Sequence, residues 1–168
     1  ADESSVNRED ITKARGAVLR LASDTTPIDD SVGPGELIEA MGVVITAAST
    51  TAVINADDEL CLDLADRAEP DHVLLVTAIA DNSSVEEHVR QGRRGAVLTH
   101  SSEGPAITIH DKVETNPARQ IDILTGLAED AANEQVQSVL FAASMAHCLG
   151  RTADEIRIAL RSFDFDTL

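Results

Sequence analysis

The chain has no tryptophan and no tyrosine, and only 2% of its 168 residues are aromatic. A core without large rings must be assembled from Val, Ile, Leu and Ala, which bury less area per residue. At 43% hydrophobic residues the apolar material suffices, and the length suits one domain. Lysine is nearly missing, occurring at Lys13 and Lys112 alone, and 13 basic residues face 30 acidic ones for a formal net charge of -17. That balance argues against nucleic acid as a partner, because neutralising phosphates needs a basic face. An anionic membrane surface is disfavoured for the same reason. The acids are scattered and not blocked. This fits general solubility, including in a salt-rich cytoplasm, better than an acidic patch that steers a basic partner.

Other signatures are missing too. Cys61 and Cys148 lie far apart, each among apolar residues, with no CxxC neighbour. They read as buried thiols of a reducing compartment, not a disulfide or metal pair. His72, His88, His100, His110 and His147 show no metal-ligand spacing. Ser83-Ser84 has no GxSxG context to make a nucleophile. No signal-peptide-like apolar region and no run of membrane-spanning length occurs, so a soluble, cytoplasmic chain is expected. No GxxxxGK[ST] occurs either. Without that loop and its lysine, backbone N–H groups and an ammonium cannot converge on a polyphosphate.

What is present alternates between strand-like and helix-like stretches. Residues 1–15 read as an irregular N-terminal segment and 16–168 as one α/β domain. Ala17 to Leu21 is a short buried strand, followed by a loop rich in Asp, Pro and Gly. Glu36 opens a helical pattern with Leu37, Ala40, Met41 and Val44 on one face. Thr51–Asn55 is a strand, and Asp57 or Asp58 caps a helix whose apolar positions are Leu60, Leu62, Leu64 and Ala65. Val73–Val76 is a continuous β-branched and Leu run, as in a strand covered on both faces. Ser83-Ser84 caps a helix from Val85 to Gln91 that stops at Gly92. Ala96–Thr99 and Ile107–Ile109 form a hairpin pair around Ser101 to Pro105. Asn133 to Leu149 is an Ala-rich helix ended by Gly150, and Thr152 caps a last one from Ala153 to Ser162. The expected fold is a mostly parallel sheet flanked by helices, with a β-hairpin and a C-terminal helix pair.

Three segments carry a family resemblance. Thr51 to Leu60 (TAVINADDEL) resembles the "AVLNADDPL" segment of Mur ligases. Asp81 to Val89, with Gly92 and Gly95-Ala96-Val97, is similar to the "DNPVVAEHLAAGGRAV" stretch of cyanophycin synthetases. Leu149 to Arg157, with Leu160-Arg161-Ser162-Phe163, resembles the "LG…EIRAGLRSF" end of the same central domain. Order and spacing agree across the three, and the likeness runs from about Gly16 to Phe163. The chain thus resembles the C-terminal half of a Mur-ligase-type central domain. Members of that superfamily use ATP and Mg²⁺ to activate a carboxylate as an acyl phosphate, which an amine attacks to give an amide. In the family the phosphate loop lies upstream of the part seen here.

The resemblance also implies which positions would hold nucleotide and metal. The family's acid–His pair for Mg²⁺ falls near Asp24, with Thr25 at the His position and Arg20 at a preceding Asn. Asp24 alone reads better as a loop residue or turn former than as a metal ligand. The family's metal-bridging lysine position carries Met41, whose thioether offers Mg²⁺ no oxygen, so Met41 is read as core. At the adenine site Gln135 keeps an amide able to meet a base edge. Glu134 and Ser138 replace the family's His and second Asn. Asn55, Asp57 and Asp58 match best, either as a strand-end constellation in the ligand crevice or as a strand terminator and helix caps. The expectation is a ligase-type domain that does not catalyse alone. The alternatives are one component of a split ATP-dependent carboxylate–amine ligase, or a small-molecule-binding α/β module. A half-sheet has an edge to cover, so self-association or a partner protein is expected.

Overall fold

The computed structural model describes residues 16–19, 34–48, 51–111, 119–124 and 133–162. Six strands and five α-helices are found among them. In chain order they are β1 (Gly16–Leu19), α1 (Pro34–Ala47), β2 (Thr51–Asn55), α2 (Glu59–Ala65), β3 (Val73–Thr77) and α3 (Ser83–Arg90). Then come β4 (Arg94–Ser101), β5 (Gly104–Asp111), β6 (Arg119–Leu124), α4 (Asn133–Cys148) and α5 (Ala153–Ser162), and a 3₁₀ turn at Pro70–His72 leads into β3.

The strands lie in the sheet in sequence order, β1 to β6. β1 to β4 run parallel, whereas β5 and β6 return antiparallel as a meander. Three parallel crossovers that step the same way, with one preferred hand, place α1, α2 and α3 on one face of the sheet. The packing shows this. Ile45, Cys61, Leu64 and Val85 meet Ala52, Ile54, Val73 and Leu75 in one cluster. The alternate residues Val53, Leu74, Val76, Ala96, Ile107, Ile109 and Ile123 meet Val139, Leu140, Phe141, Ala143 and Ile156 of α4 and α5 in a second. β2 and β3 are buried at all five positions each, as their unbroken apolar runs require.

Several local details differ from the pattern reading. α1 buries Ile45 and half-buries Met41, while Ala40 and Val44 are exposed. Its sequence GVVITA is apolar all round, so periodicity does not single out the inner face. In α2 Cys61 takes the inner position and Leu60 is 47% exposed. α3 is capped by Asn82, whose Oδ1 accepts from the N–H groups of Ser84 (3.1 Å) and Val85 (3.2 Å), and Ser83-Ser84 form its first turn. β6 is a strand that the pattern did not signal. Other expectations hold: Gly92 and Gly150 adopt positive φ just past their helices. Thr152 and Glu155 close a capping box, with the Thr152 N–H donating to Glu155 (2.8 Å) and the Glu155 N–H to Thr152 Oγ1 (3.3 Å).

At the amino end of the sheet, Arg94 ties three elements together. Its guanidinium donates to Thr51 Oγ1 (3.1 Å), to the Asp71 carbonyl (3.2 Å) and to Cys148 Sγ (3.7 Å). Beside it His147 Nε2 meets Asp111 Oδ2 at 3.2 Å, so the last turn of α4 is fastened to β5. Burial pushes the Cys148 thiol up from its ordinary pKa, which opposes a role as a nucleophile. Neither cysteine is in a disulfide.

Candidate functional site at the carboxyl edge of the sheet

In open α/β sheets ligands bind beyond the carboxyl ends of the parallel strands. Here that edge is formed by Asn55 to Asp58 after β2, Thr77 to Asn82 after β3, and the start of α4. α4 starts at this edge and ends at the other, since Cys148 meets Arg94 at the beginning of β4.

Asp57 is the hub. Its Oδ2 accepts from the Ala78 N–H at 2.8 Å. Its Oδ1 accepts from Asn82 Nδ2 at 3.1 Å and from the Thr77 hydroxyl. Asn82 Nδ2 also donates to the Ala56 carbonyl at 3.2 Å, and the Ala56 N–H donates to Val76 at 2.8 Å. One half-buried carboxylate therefore binds the end of β2 to the end of β3 and to the cap of α3. Three donors take up three of the roughly four lone-pair sites on its two oxygens, which leaves about one for any further partner.

Its neighbours are occupied as well. Asp58 is the N-cap of α2 and accepts from the Cys61 N–H at 3.0 Å. Asn55 is 4% exposed, and its Oδ1 accepts from the Asp57 N–H at 3.1 Å. By strand alternation with Val53, Asn55 faces the α4 side of the sheet. Gln135 is half-buried in the first turn of α4, at this same edge and on the same side as Asn55. Glu134 and Ser138 are exposed beside it, and Ser138 Oγ donates to the Glu134 carbonyl at 2.7 Å. The fold thus brings Asn55, Asp57, Asp58 and Gln135 to one edge. Met41 packs against the core on the α1 to α3 side. Asp24, like Arg20 and Thr25, lies outside the described residues.

These residues do not fit Mg²⁺-ATP. The carboxylates that would face a metal are engaged in cap and clamp bonds, and Glu134 sets a negative charge where a polyphosphate ligand would approach.

Next to Asp57 a cleft of about 370 Å³ opens between α3 and the sheet. Val85, Val89 and Val97 give it an apolar wall, and Asp81, Glu86 and His110 are at its polar rim. Asp81 holds φ at 60°, a left-handed conformation that Asp tolerates better than most residues. Sequence reasoning did not find Thr77 or Asn82 as partners of Asp57. Their only local signals are a Thr ending an apolar strand and an Asn ahead of a helix.

No protein-family model matches the chain, and no curated protein sequence matches it.

Proposed function

We propose that the chain is the trailing half of a Mur-ligase-type central domain, cyanophycin-synthetase-like, kept as a scaffold that does not activate a carboxylate alone. The observation that carries this reading is the state of Asp57: the best-matching acidic position is spent on joining β2, β3 and α3. Asp58 is likewise spent on a cap. Supporting it are the three ordered sequence segments, the lack of GxxxxGK[ST], and Glu134 and Ser138 at the adenine-site positions.

A second reading has one feature in its favour. Among the described residues the parallel half of the sheet ends on β1, a strand whose other edge another segment or chain carrying a phosphate loop could extend. The chain would then be one component of a split carboxylate–amine ligase. In the first reading a second copy or a partner protein covers that edge.

Calorimetric titration of Mg-ATP into the isolated protein, then into its mixture with the product of a neighbouring gene, separates the two. The first reading expects no heat of binding in either case. Micromolar affinity for the chain alone would overturn it, and ATP-dependent phosphate release by the mixture would replace it with the second.

A further inference from the structure

α3 lies over β3 and β4 with a cleft on each side. One, of about 370 Å³, separates it from Val97 and Thr99 of β4 and His110 of β5, and the other, of about 330 Å³, separates it from α2. The two ends of the helix are held unequally. Its start is fixed by Val85, which is 2% exposed, and by the Asn82 cap that Asp57 clamps. Its end rests on Val89, seated against Gly95, and on the ring of His88. Arg90, Gln91 and Gly92 are exposed. Three backbone bonds close this end: Gln91 N–H to the Glu87 carbonyl (3.0 Å), Gly92 to Val89 (2.9 Å) and Arg93 to His88 (3.1 Å).

Of the five histidines His88 alone is buried, and its Nε2 has no hydrogen-bond partner. Whichever tautomer the neutral ring takes, the charged ring carries a proton on both nitrogens, so Nε2 becomes a buried donor with no acceptor. The charges around it add to that cost. Arg93 follows the helix, and Arg94 of β4 is tied to Thr51 and to the Asp71 carbonyl. Glu87, on the same turn, is taken up by Arg90 and Gln91. Asp71 and His72 stand in the 3₁₀ turn ahead of β3. Asp63 and Asp66 of α2 are exposed on the far wall of the cleft, and no ion pair joins them to the ring. Burial first, and Arg93 next, hold the imidazole below its ordinary range. A ring lifted off the sheet meets water and those two carboxylates instead.

We propose that the end of α3, from Glu87 to Gly92, is an acid-released latch. Charging His88 lifts this turn off β3 and β4 while the Asn82 end stays clamped, and the flanking clefts join into one groove over Leu75, Gly95 and Val97. The sign follows from proton binding. The lifted ring titrates near the ordinary value of about 6.5, and the seated ring below it. Above about pH 6.5 neither form is charged and the latch is shut. Below it, lifting is favoured by up to about tenfold per pH unit, until the pKa of the seated ring is reached. The device is independent of ligase ancestry.

The test is amide hydrogen exchange of the whole chain by NMR, at about pH 7.5 and about pH 5, each in water and in low urea. Protection factors, with free-amide exchange divided out, are read at Gln91, Gly92 and Arg93, and at Val53, Leu74 and Val76 in the core strands. The three turn amides are expected to lose about tenfold or more of their protection at the lower pH. That protection should be nearly indifferent to urea, because lifting one turn exposes little surface, whereas the core amides should respond to urea as in unfolding. His88→Leu should abolish the pH effect at the turn. Arg93→Gln, at a half-buried position outside the helix, keeps the titrating ring but removes a charge opposing its proton, so it should make the loss smaller. Protection at the turn that is unchanged by pH, that falls with urea in step with the core, or that keeps its pH dependence in His88→Leu would overturn the latch.

Discussion

Replacing Asp57 by Ala removes the acceptor shared by three donors from two other segments. The Ala78 N–H and the Asn82 amide lose bonds of 2.8 and 3.1 Å to a charged oxygen. Bonds of this type contribute about 1.5–3 kcal/mol each. Thr77 loses less, because its hydroxyl can turn to the Ile79 carbonyl at 3.2 Å. Asp57 is only half-buried, so water partly replaces the missing carboxylate. The net destabilisation is therefore about 2–4 kcal/mol, less than the simple sum of the bonds. With a urea dependence of about 2 kcal/mol/M, the unfolding midpoint should fall by about 1–2 M with an unchanged slope. Asp57→Asn keeps the shape but turns an NH₂ toward a donor, so it should recover less than half of that loss. Thr77→Val combined with Asp57→Ala should cost less than the two separate changes added, because the residues share a bond. A midpoint shift below about 0.3 M for Asp57→Ala would refute the clamp, since a surface carboxylate outside such a network typically changes stability by under about 0.5 kcal/mol.

His88 gives a pH dependence of definite sign. Its folded pKa is lowered from 6.5 by burial first and Arg93 second, so the unfolded chain takes up the proton before the folded one. Stability should be flat above about pH 6.5 and decline below it, by at most about 1.4 kcal/mol per pH unit, until the folded-state pKa is reached. In His88→Leu, urea unfolding at several pH values should show that part of the slope removed. Gly95 is held by contact and not by its φ: a Cβ there would be 2.7 Å from Val89 Cγ2 and 3.1 Å from Val85 Cγ1. Gly95→Ala should push α3 off β4 and lower stability by about 1–3 kcal/mol in the same assay.

The parallel half of the fold was legible because each element there carries its own signal. β2 and β3 are unbroken apolar runs, and Thr152 with Glu155 spells out a capping box at the right offset. β6 was missed because RQIDIL is short and alternates through only two isoleucines, with a polar stretch ahead of it. It becomes a strand because Ile121 and Ile123 pair with Ile109 and Ile107 and pack under the helices of the other face. The faces of α1 and α2 were misjudged by one residue for a related reason. Where neighbouring positions are all apolar, the sheet and not the helix period decides which of them is buried. The capping reading holds for Asp58, which accepts from the Cys61 N–H. The work of Asp57 was invisible, since Thr77 and Asn82 are 20 and 25 residues away and only the length of the β2-to-β3 crossover brings them near.

The order of the strands has a consequence for how the protein emerges from synthesis. One face of the sheet is covered as it is made, because α1, α2 and α3 each lie between the strands they cover. Among the described residues the other face has no cover from the connections between its strands. Val53, Leu74, Val76, Ala96, Ile107, Ile109 and Ile123 stay bare until α4 and α5, the last described elements in the chain, have been added. A chain stalled before Asn133 would therefore expose a continuous aliphatic surface spanning most of the sheet, a target for chaperones or for another unfinished copy. Covering that face depends on α4 and α5, the latest of the described elements, and damage there would be felt as aggregation before it was felt as lost binding.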